Sequence, residues 1–427
     1  MAQTHKNEEQ LATAPIGRLM LKLAVPTVAA QLINMLYNIV DRIYIGHIPE
    51  VGSTALTGVG VTFPIITLVS AFAAFAGQGG APLASIQLGA GRRDEAERIL
   101  GNSLVLLLAA SLLLTVGFSM YKEPILYAFG ASDATIGYAV DYIRIYLLGT
   151  IFVQLALGLN SFISAQGKAL VAMLSVLIGA VINIVLDPVF IFALGMGVQG
   201  AALATVISQF TSAILCLIHL MRTKEEYQLH ISKIRFDGRV LGEIIRNGVP
   251  SGFQNSVISI ANVFVQTNIN AFGKMAMAGC GSYSKVEGFA FLPITCFAMA
   301  LTTFISQNLG AKEYKRAKKG AVFGVICSLS MAELIGVIIY LFAPQFLAAF
   351  NDTPQVIAYG TDQARIDALF YFLLAFSHCM AGILRGAGKS AVPMFVMLIC
   401  WCIIRVSYIT AAVHFIPDIH VIFWAYP

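Results

Sequence analysis

"NMLYNIVDRIYIG", Asn34 to Gly46, lies inside an apolar stretch that runs from about residue 19 to 45. About 20 apolar residues suffice to cross a bilayer, yet this stretch carries Asn34, Asn38 and Asp41. A carboxylate at membrane depth costs roughly 3 kcal/mol, so something else in the fold must offset it. With Gln31 these residues are spaced 3, 4 and 3 apart, which on a helix makes one narrow polar stripe. Such a stripe is expected to face a cavity or another helix rather than lipid.

The rest of the chain reads the same way. Its 427 residues are 58% hydrophobic and 11% charged, with a mean hydropathy of +0.79, where a soluble domain carries about 25% charge. The fold class is therefore an all-α polytopic membrane protein. The tail before Leu19 holds Lys6, Glu8 and Glu9 and lacks the apolar core of a signal peptide, so the first spanning helix is expected to direct insertion. Apolar windows predict spans at about 19–45, 54–78, 99–120, 138–160, 169–194 and 197–221. After a polar linker at 222–240 they continue at 241–270, 276–305, 320–342, 357–383 and 391–415, and a twelfth begins near His420.

Of the 27 basic residues, 20 fall in the N-terminal tail and the even-numbered loops, from Lys6 to Lys389, while the opposite loops hold only Lys122 and Lys274. The positive-inside rule then puts the N-terminus and the linker in the cytoplasm, and the linker is the loop expected to be most open to cleavage. The net charge of +5 follows from these loops and gives no reason to expect a nucleic-acid partner. Cys216, Cys280, Cys296, Cys327, Cys379, Cys400 and Cys402 form no CxxC pair and read as small buried hydrophobes. The histidines lack metal spacing. "QGK" (166–168) and "AGK" (387–389) lack the strand–glycine-loop–helix setting of a phosphate loop. No enzyme chemistry and no cofactor is indicated.

The two halves of the chain resemble each other. "LAVPT" (23–27) matches "NGVPS" (247–251), and from the second span onward the offset is 221. "ALTGVG" (55–60) matches "AMAGCG" (276–281), "QLGAGRRDEA" (87–96) matches "NLGAKEYKRA" (308–317), and "AQGKALVAM" (165–173) matches "GAGKSAVPM" (386–394). Six spans per half, both entering from the same side, make a parallel repeat about an axis along the membrane normal. That organisation is common in secondary transporters, whose substrate sites lie between the repeats. The expected domains are an N-lobe (1–221), the linker (222–240) and a C-lobe (241–427). The sixth span projects onto 418–442, so the twelfth helix is expected to be cut short by about fifteen residues.

On the fifth span, "NIVLDPVF" places Asn183 and Asp187 one helical turn apart. With the N-terminus inside, Asp41 and Asp187 reach similar depth in the outer half of the membrane. Two such carboxylates could bind Na⁺, which favours hard oxygen ligands, or share a proton, because both cannot ionise cheaply in a poor dielectric. Arg42 is turned about 100° from Asp41 and reads as a contact to a neighbouring helix. In the second half, Glu287, Asp362 and Asp367 are secondary acidic candidates, with Lys285 and Arg365 placed to pair with neighbouring acids.

"QLINMLYNIVDRIYIG", "NIVLDPVFIF" followed by "GVQGAALATVIS", and the two "LGA" loops resemble the multidrug and toxic compound extrusion (MATE) family, in its DinF-like or MepA-like branch. The resemblance spans nearly the whole chain. It implies the twelve-helix MATE fold, no cofactor, and an antiporter that exports amphipathic, often cationic compounds by alternating access in exchange for H⁺ or Na⁺. It also implies a monomer in the inner (plasma) membrane, in contact with lipid. By motif position its cation-coupling site comprises Asp41, Asn160, Asn183, Asp187 and Thr205. Candidate substrate contacts on the first and seventh helices, which occupy matching positions in the repeat, are Gln31, Asn34, Tyr37, Asn38, Gln254, Asn255 and Asn262. One departure stands out. Another branch carries an acid on the seventh helix, whereas none occurs here between Pro250 and Asn270, and the repeat partners of Asp41 and Asp187 are Val265 and Tyr408. The alternatives are a flippase for lipid-linked precursors, which would need several cavity cations, and a channel or sensory membrane protein.

Overall fold

The computed structural model of the protein describes residues 14–223, 226–416 and 418–426, with all their side chains except those of residues 255–257, 259 and 260. No strand occurs among these residues. By packing, they divide into two compact units, residues 25–249 in one and 14–24 with 250–426 in the other. Among the described residues eight single helices are long and apolar enough to cross a membrane, and two bent pairs bring the number to as many as ten.

The first unit contains α1 (Ile16–Gly46, from Val25 on), α2 (Gly52–Gly89), α3 (Arg93–Ala128), α4 (Ile136–Leu148), α5 (Thr150–Ala165), α6 (Ala169–Pro188) and α7 (Val198–Arg222). The second contains α8 (Gly238–Asn270, from Pro250 on), α9 (Lys274–Gly310), α10 (Tyr314–Ala348), α11 (Pro354–Ala368), α12 (Tyr371–Gly386), α13 (Ala391–Met397), α14 (Arg405–Phe415) and α15 (Ile419–Phe423). Helix boundaries follow the repeat closely. Gly89 and Gly310 end matching helices, Arg93 and Tyr314 begin matching helices, and Ala165 and Gly386 end another pair, each 221 residues apart.

The fourth and tenth spans, predicted as continuous, are broken. α4 and α5 meet at 58°, and α11 and α12 meet at 56°. Gly149 sits at the first break. A Cβ there would lie 2.4 Å from Val206 Cγ2, so only glycine lets α7 pack against the bend. At the second break, Phe370 leaves helical geometry with φ −117° and ψ 11°. α6 changes character at Pro188, which has no N–H to donate back along the helix. The next residues, Val189–Ala193, widen into a π-helix, which closes with Leu194 N donating to Val189 O at 2.9 Å.

The polar linker is docked rather than open. Tyr227 is fully buried and donates its hydroxyl to Phe162 O at 2.7 Å, while Gln166 Nε2 donates to Tyr227 O at 2.8 Å. Glu97, buried on the first turns of α3, pairs with Lys233 Nζ at 2.7 Å and accepts from Gln228 N at 3.0 Å. Lys233 also pairs with Asp94, Arg98 with Asp237 at 2.9 Å, and Lys168 with Glu226 at 2.6 Å. Gly101 allows the close approach, since a Cβ there would meet Lys233 O at 2.3 Å. Composition marks the segment as polar but does not reveal that α3 carries the matching charges.

Candidate functional site

The stripe on α1 opens into a cavity of about 540 Å³ within the first unit, lined by Asn34, Asn38 and Asp41 of that stripe and by Tyr37 beside them. Gln31 is half-buried and does not line it. Tyr142 and Tyr146 from α4, Thr205 and Gln209 from α7, Thr67 and Ser70 from α2, and Arg42 add further polar groups to the wall. Asn38 Nδ2 donates back to Asn34 O, one turn earlier, at 2.6 Å. Gln209 Nε2 reaches Tyr37 Oη at 3.5 Å, and the rings of Tyr142 and Tyr146 stack with centroids 6.2 Å apart.

Asp41 is 8% exposed and Asp187 is fully buried. Each leaves a carboxylate oxygen without a hydrogen-bond partner, Oδ1 of Asp41 and Oδ2 of Asp187, and the two acids interact electrostatically. Asn183 Nδ2 contacts Asp187 Oδ1 at 3.4 Å and Thr205 Oγ1 at 3.5 Å, so helical spacing on α6 and one residue of α7 assemble the expected group. Arg42 turns away, its guanidinium 5.5 Å from the centre of the Phe63 ring. No group of three or more His, Cys, Asp or Glu placed to hold a metal occurs among the described residues.

Asn160 is placed differently. Its Nδ2 donates to Ala172 O at 2.9 Å and to Ser175 Oγ at 3.0 Å. Ser175 lies roughly 12 Å along α6 from Asn183. Asn160 therefore ties α5 to α6 instead of pointing at the carboxylates. Tyr142, Tyr146 and Gln209 line the cavity and were not singled out by sequence. The four-residue spacing of the two tyrosines is a usable signal, but aromatic residues on a helix face read first as core.

In the second unit Gln254 is 4% exposed with Oε1 unpartnered, the side chain of Asn255 lies outside the described residues, and Asn262 accepts from Arg405 Nη1 at 3.2 Å. The ion pairs expected of Lys285 and Arg365 are absent among the described residues. Lys285 Nζ sits over the Phe350 ring at 5.4 Å and the Arg365 guanidinium over Tyr340 at 5.8 Å, because an aromatic face is available where no acid is aimed. Asp362 instead lies 3.7 Å from His420 Nε2, at a shallow cavity of about 490 Å³ that Lys274 also lines. Glu287 is half-buried and Asp367 is 4% exposed.

The MatE family model matches residues 26–189 and 250–409, once in each half. The probable multidrug resistance protein NorM of Thermotoga maritima is 27% identical over 389 residues, 90% of this chain and 83% of its own. The multidrug export protein MepA of Staphylococcus haemolyticus is 25% identical over 88% of this chain and 82% of its own. An FAD transporter of Shewanella oneidensis is 25% identical over 82% and 78%. The fold is shared with solved structures. A MATE crystal structure in the bent conformation superposes with a TM-score of 0.91 over 98% of this chain and 93% of that one, at 23% identity. With a match in each half and the same helical architecture, this multi-pass membrane protein is a transporter rather than an enzyme, and the chain belongs to the MatE family.

Proposed function

We propose that this chain exports amphipathic, cationic organic compounds in exchange for H⁺ or Na⁺, with Asp41 and Asp187 carrying the coupling ion. The observation that supports this reading most is a pair of buried carboxylates, each with an unpartnered oxygen, that no basic side chain pairs with among the described residues. An acid pair at membrane depth is an expensive way to hold helices together. It becomes useful if its charge is taken up and released in each cycle. Asn183 and Thr205 offer neutral donors and acceptors that suit either charge state. The aromatic faces of Tyr37, Tyr142 and Tyr146 and the amides of Asn34 and Asn38 suit a bulky organic cation better than a fixed ion pair would.

In this mechanism the drug cation and the coupling ion draw on the same negative charge, so binding of one disfavours the other. Mutual exclusion turns alternating access into export. The reading puts the chain in the inner (plasma) membrane as a monomer with its N-terminus in the cytoplasm, supported by the distribution of lysine and arginine. A flippase for lipid-linked precursors is less well supported, since Arg42 is the one cationic residue among those lining the cavity.

Efflux from proteoliposomes with pH and Na⁺ gradients imposed separately tests the proposal. One gradient should drive uphill movement of an organic cation in the wild type and fail to drive it in Asp41→Asn. Ion current without stoichiometric coupling would identify a channel, and transfer of a pyrophosphate-linked lipid would identify a flippase.

A further inference from the structure

The first turns of α3 and α10 occupy matching positions in the repeat, 221 residues apart, and their charges are inverted. Residues 91–98 hold Asp94, Glu95 and Glu97 beside Arg92, Arg93 and Arg98. Residues 312–319 hold Lys312, Lys315, Arg316, Lys318 and Lys319 against a single acid, Glu313. Asp94, Glu95 and Glu97 thus correspond to Lys315, Arg316 and Lys318. On α3 the acids are engaged: Asp94 and Glu97 hold Lys233 of the docked linker, and Arg98 bridges Glu95 and Asp237. On α10, Arg316 is turned inward, with Nη2 donating to Ala14 O at 2.7 Å and the guanidinium 5.7 Å from the centre of the Phe304 ring. Lys312, Lys315, Lys318 and Lys319 are exposed and pair with no acid among the described residues.

The packing of α10 decides where these lysines point. Ala317, Gly320, Gly324, Ser328, Ala332 and Gly336 form one buried stripe at intervals of three or four residues. The opposite face runs Lys315, Lys319, Val322 and Ile326, spaced 4, 3 and 4, with Lys318 at its edge. Val322 is 53% and Ile326 58% exposed, and on a helix long and apolar enough to cross a membrane such bare aliphatic residues face lipid. Lys319 lies only roughly 5 Å along the axis from Val322. The ammonium groups therefore stand where acyl chains give way to water, and Tyr314, 63% exposed, adds an aromatic ring of the kind enriched at that level. A helix start favours acids over cations. α3 follows that rule with Asp94 and Glu95, and α10 has no acid in its first turn, so its lysines are a cost to the helix unless an outside anion balances them.

We propose that the start of α10 is a docking surface for anionic phospholipid headgroups of the surrounding leaflet, seated on Lys315, Lys318 and Lys319. The first unit neutralises the matching surface with its own linker, and the second draws its counter-charge from the bilayer. A headgroup of net negative charge suits the lysines, and the acyl chains suit Val322 and Ile326 below them, so one helix face meets both ends of one lipid. A soluble anion would meet only half of that surface. The inference is independent of which ion drives export and of which carboxylates carry it.

The purified full chain in detergent micelles is titrated with phosphatidylglycerol or phosphatidylcholine, and the lipid retained per chain is followed by native mass spectrometry. The wild type should bind phosphatidylglycerol more tightly than phosphatidylcholine. A lysine near an anionic membrane surface adds about fivefold in affinity. Lys319→Gln alone should therefore weaken phosphatidylglycerol about fivefold, and Lys315→Gln, Lys318→Gln and Lys319→Gln together about a hundredfold, with phosphatidylcholine unchanged. Replacing the same three lysines by arginine should keep the preference. Arg235→Gln with Arg239→Gln, which removes exposed charges from the linker, should leave it intact, as should Glu8→Gln with Glu9→Gln. Equal binding of the two lipids by the wild type, or an undiminished preference in the single and triple glutamine variants, overturns the proposal. So does an equal loss in the linker variant. Tighter binding in the Glu8 and Glu9 variant would make the N-terminal tail the occupant. Displacement of the lipid by lower concentrations of glycerol phosphate or of a polyglutamate peptide would assign the surface to a soluble anion or an acidic protein, and overturn it equally.

Discussion

Asn183 donates from Nδ2 to Asp187 Oδ1, one turn further along α6, at 3.4 Å, and both side chains are fully buried. Asn160, the other asparagine of the candidate group, spends its amide on Ala172 and Ser175. The two asparagines should therefore respond differently to substitution. Asn183→Ala leaves a buried carboxylate without its donor, a loss of about 1–3 kcal/mol, and coupled efflux per folded molecule should fall about tenfold. Asn160→Ala should lower thermal stability slightly, by about 0.6 kcal/mol for an interhelical bond in a membrane, with near-normal efflux. Vesicle efflux and a melting curve on both variants separate the roles. Equal loss of efflux would put Asn160 back in the coupling group.

Asp41→Asn and Asp187→Asn keep the shape of the protonated acid, so both variants should insert and fold. Each should abolish uphill export while retaining some drug binding. If the carboxylates act as one unit, as proposed, the double variant should be little worse than either single one. Near-normal efflux from Asp41→Asn would move the search to Glu287, Asp362 and Asp367.

Gly149 is a position where added bulk should be felt. Gly149→Ala places a methyl 2.4 Å from Val206 Cγ2, and overpacking of this kind costs about 1–3 kcal/mol. A lower Tm is expected, with partial recovery on adding Val206→Ala. No recovery would mean that the bend, rather than the contact with α7, needs glycine.

The docked linker predicts resistance to proteases at neutral pH and its loss in acid. Outside the spans, the Val240 N–H, with the Arg239 N–H and the Arg98 guanidinium, holds the Asp237 carboxyl below its ordinary value against a modest opposing effect of burial. A depressed carboxyl contributes stability that is present above its unfolded pKa and lost as pH falls through the lower folded value. Cleavage between 226 and 237 should therefore rise below about pH 4, and Asp237→Ala should raise it already at pH 7. Cleavage that does not change between pH 7 and pH 3.5 would contradict this account.

Much of the frame is legible in the sequence, because crossing a bilayer imposes length and polarity rules on every segment. The stripe ending at Asp41 and the pair Asn183–Asp187 follow from 3.6-residue periodicity, and both face the cavity or its acid group. The bends at Gly149 and Phe370 do not show in a hydropathy window, which averages over the one residue that matters. The partners of the Asn160 amide are not legible for a related reason. Position along the chain fixes its depth, but only side-chain packing decides that Ser175, and not Asp187, receives its amide. The setting of Arg405 is hidden too, because its hydrogen-bond acceptor, Asn262 on α8, lies 143 residues away in sequence.

The matched helix boundaries have an evolutionary reading. Bends of 58° and 56° recur in corresponding spans, while Asp41 and Asp187 face Val265 and Tyr408 in the comparison of halves, and Arg405 faces Ile184. A duplication of a six-helix unit would account for the shared corners, and within this chain the two halves keep the same helix ends while their charged positions differ.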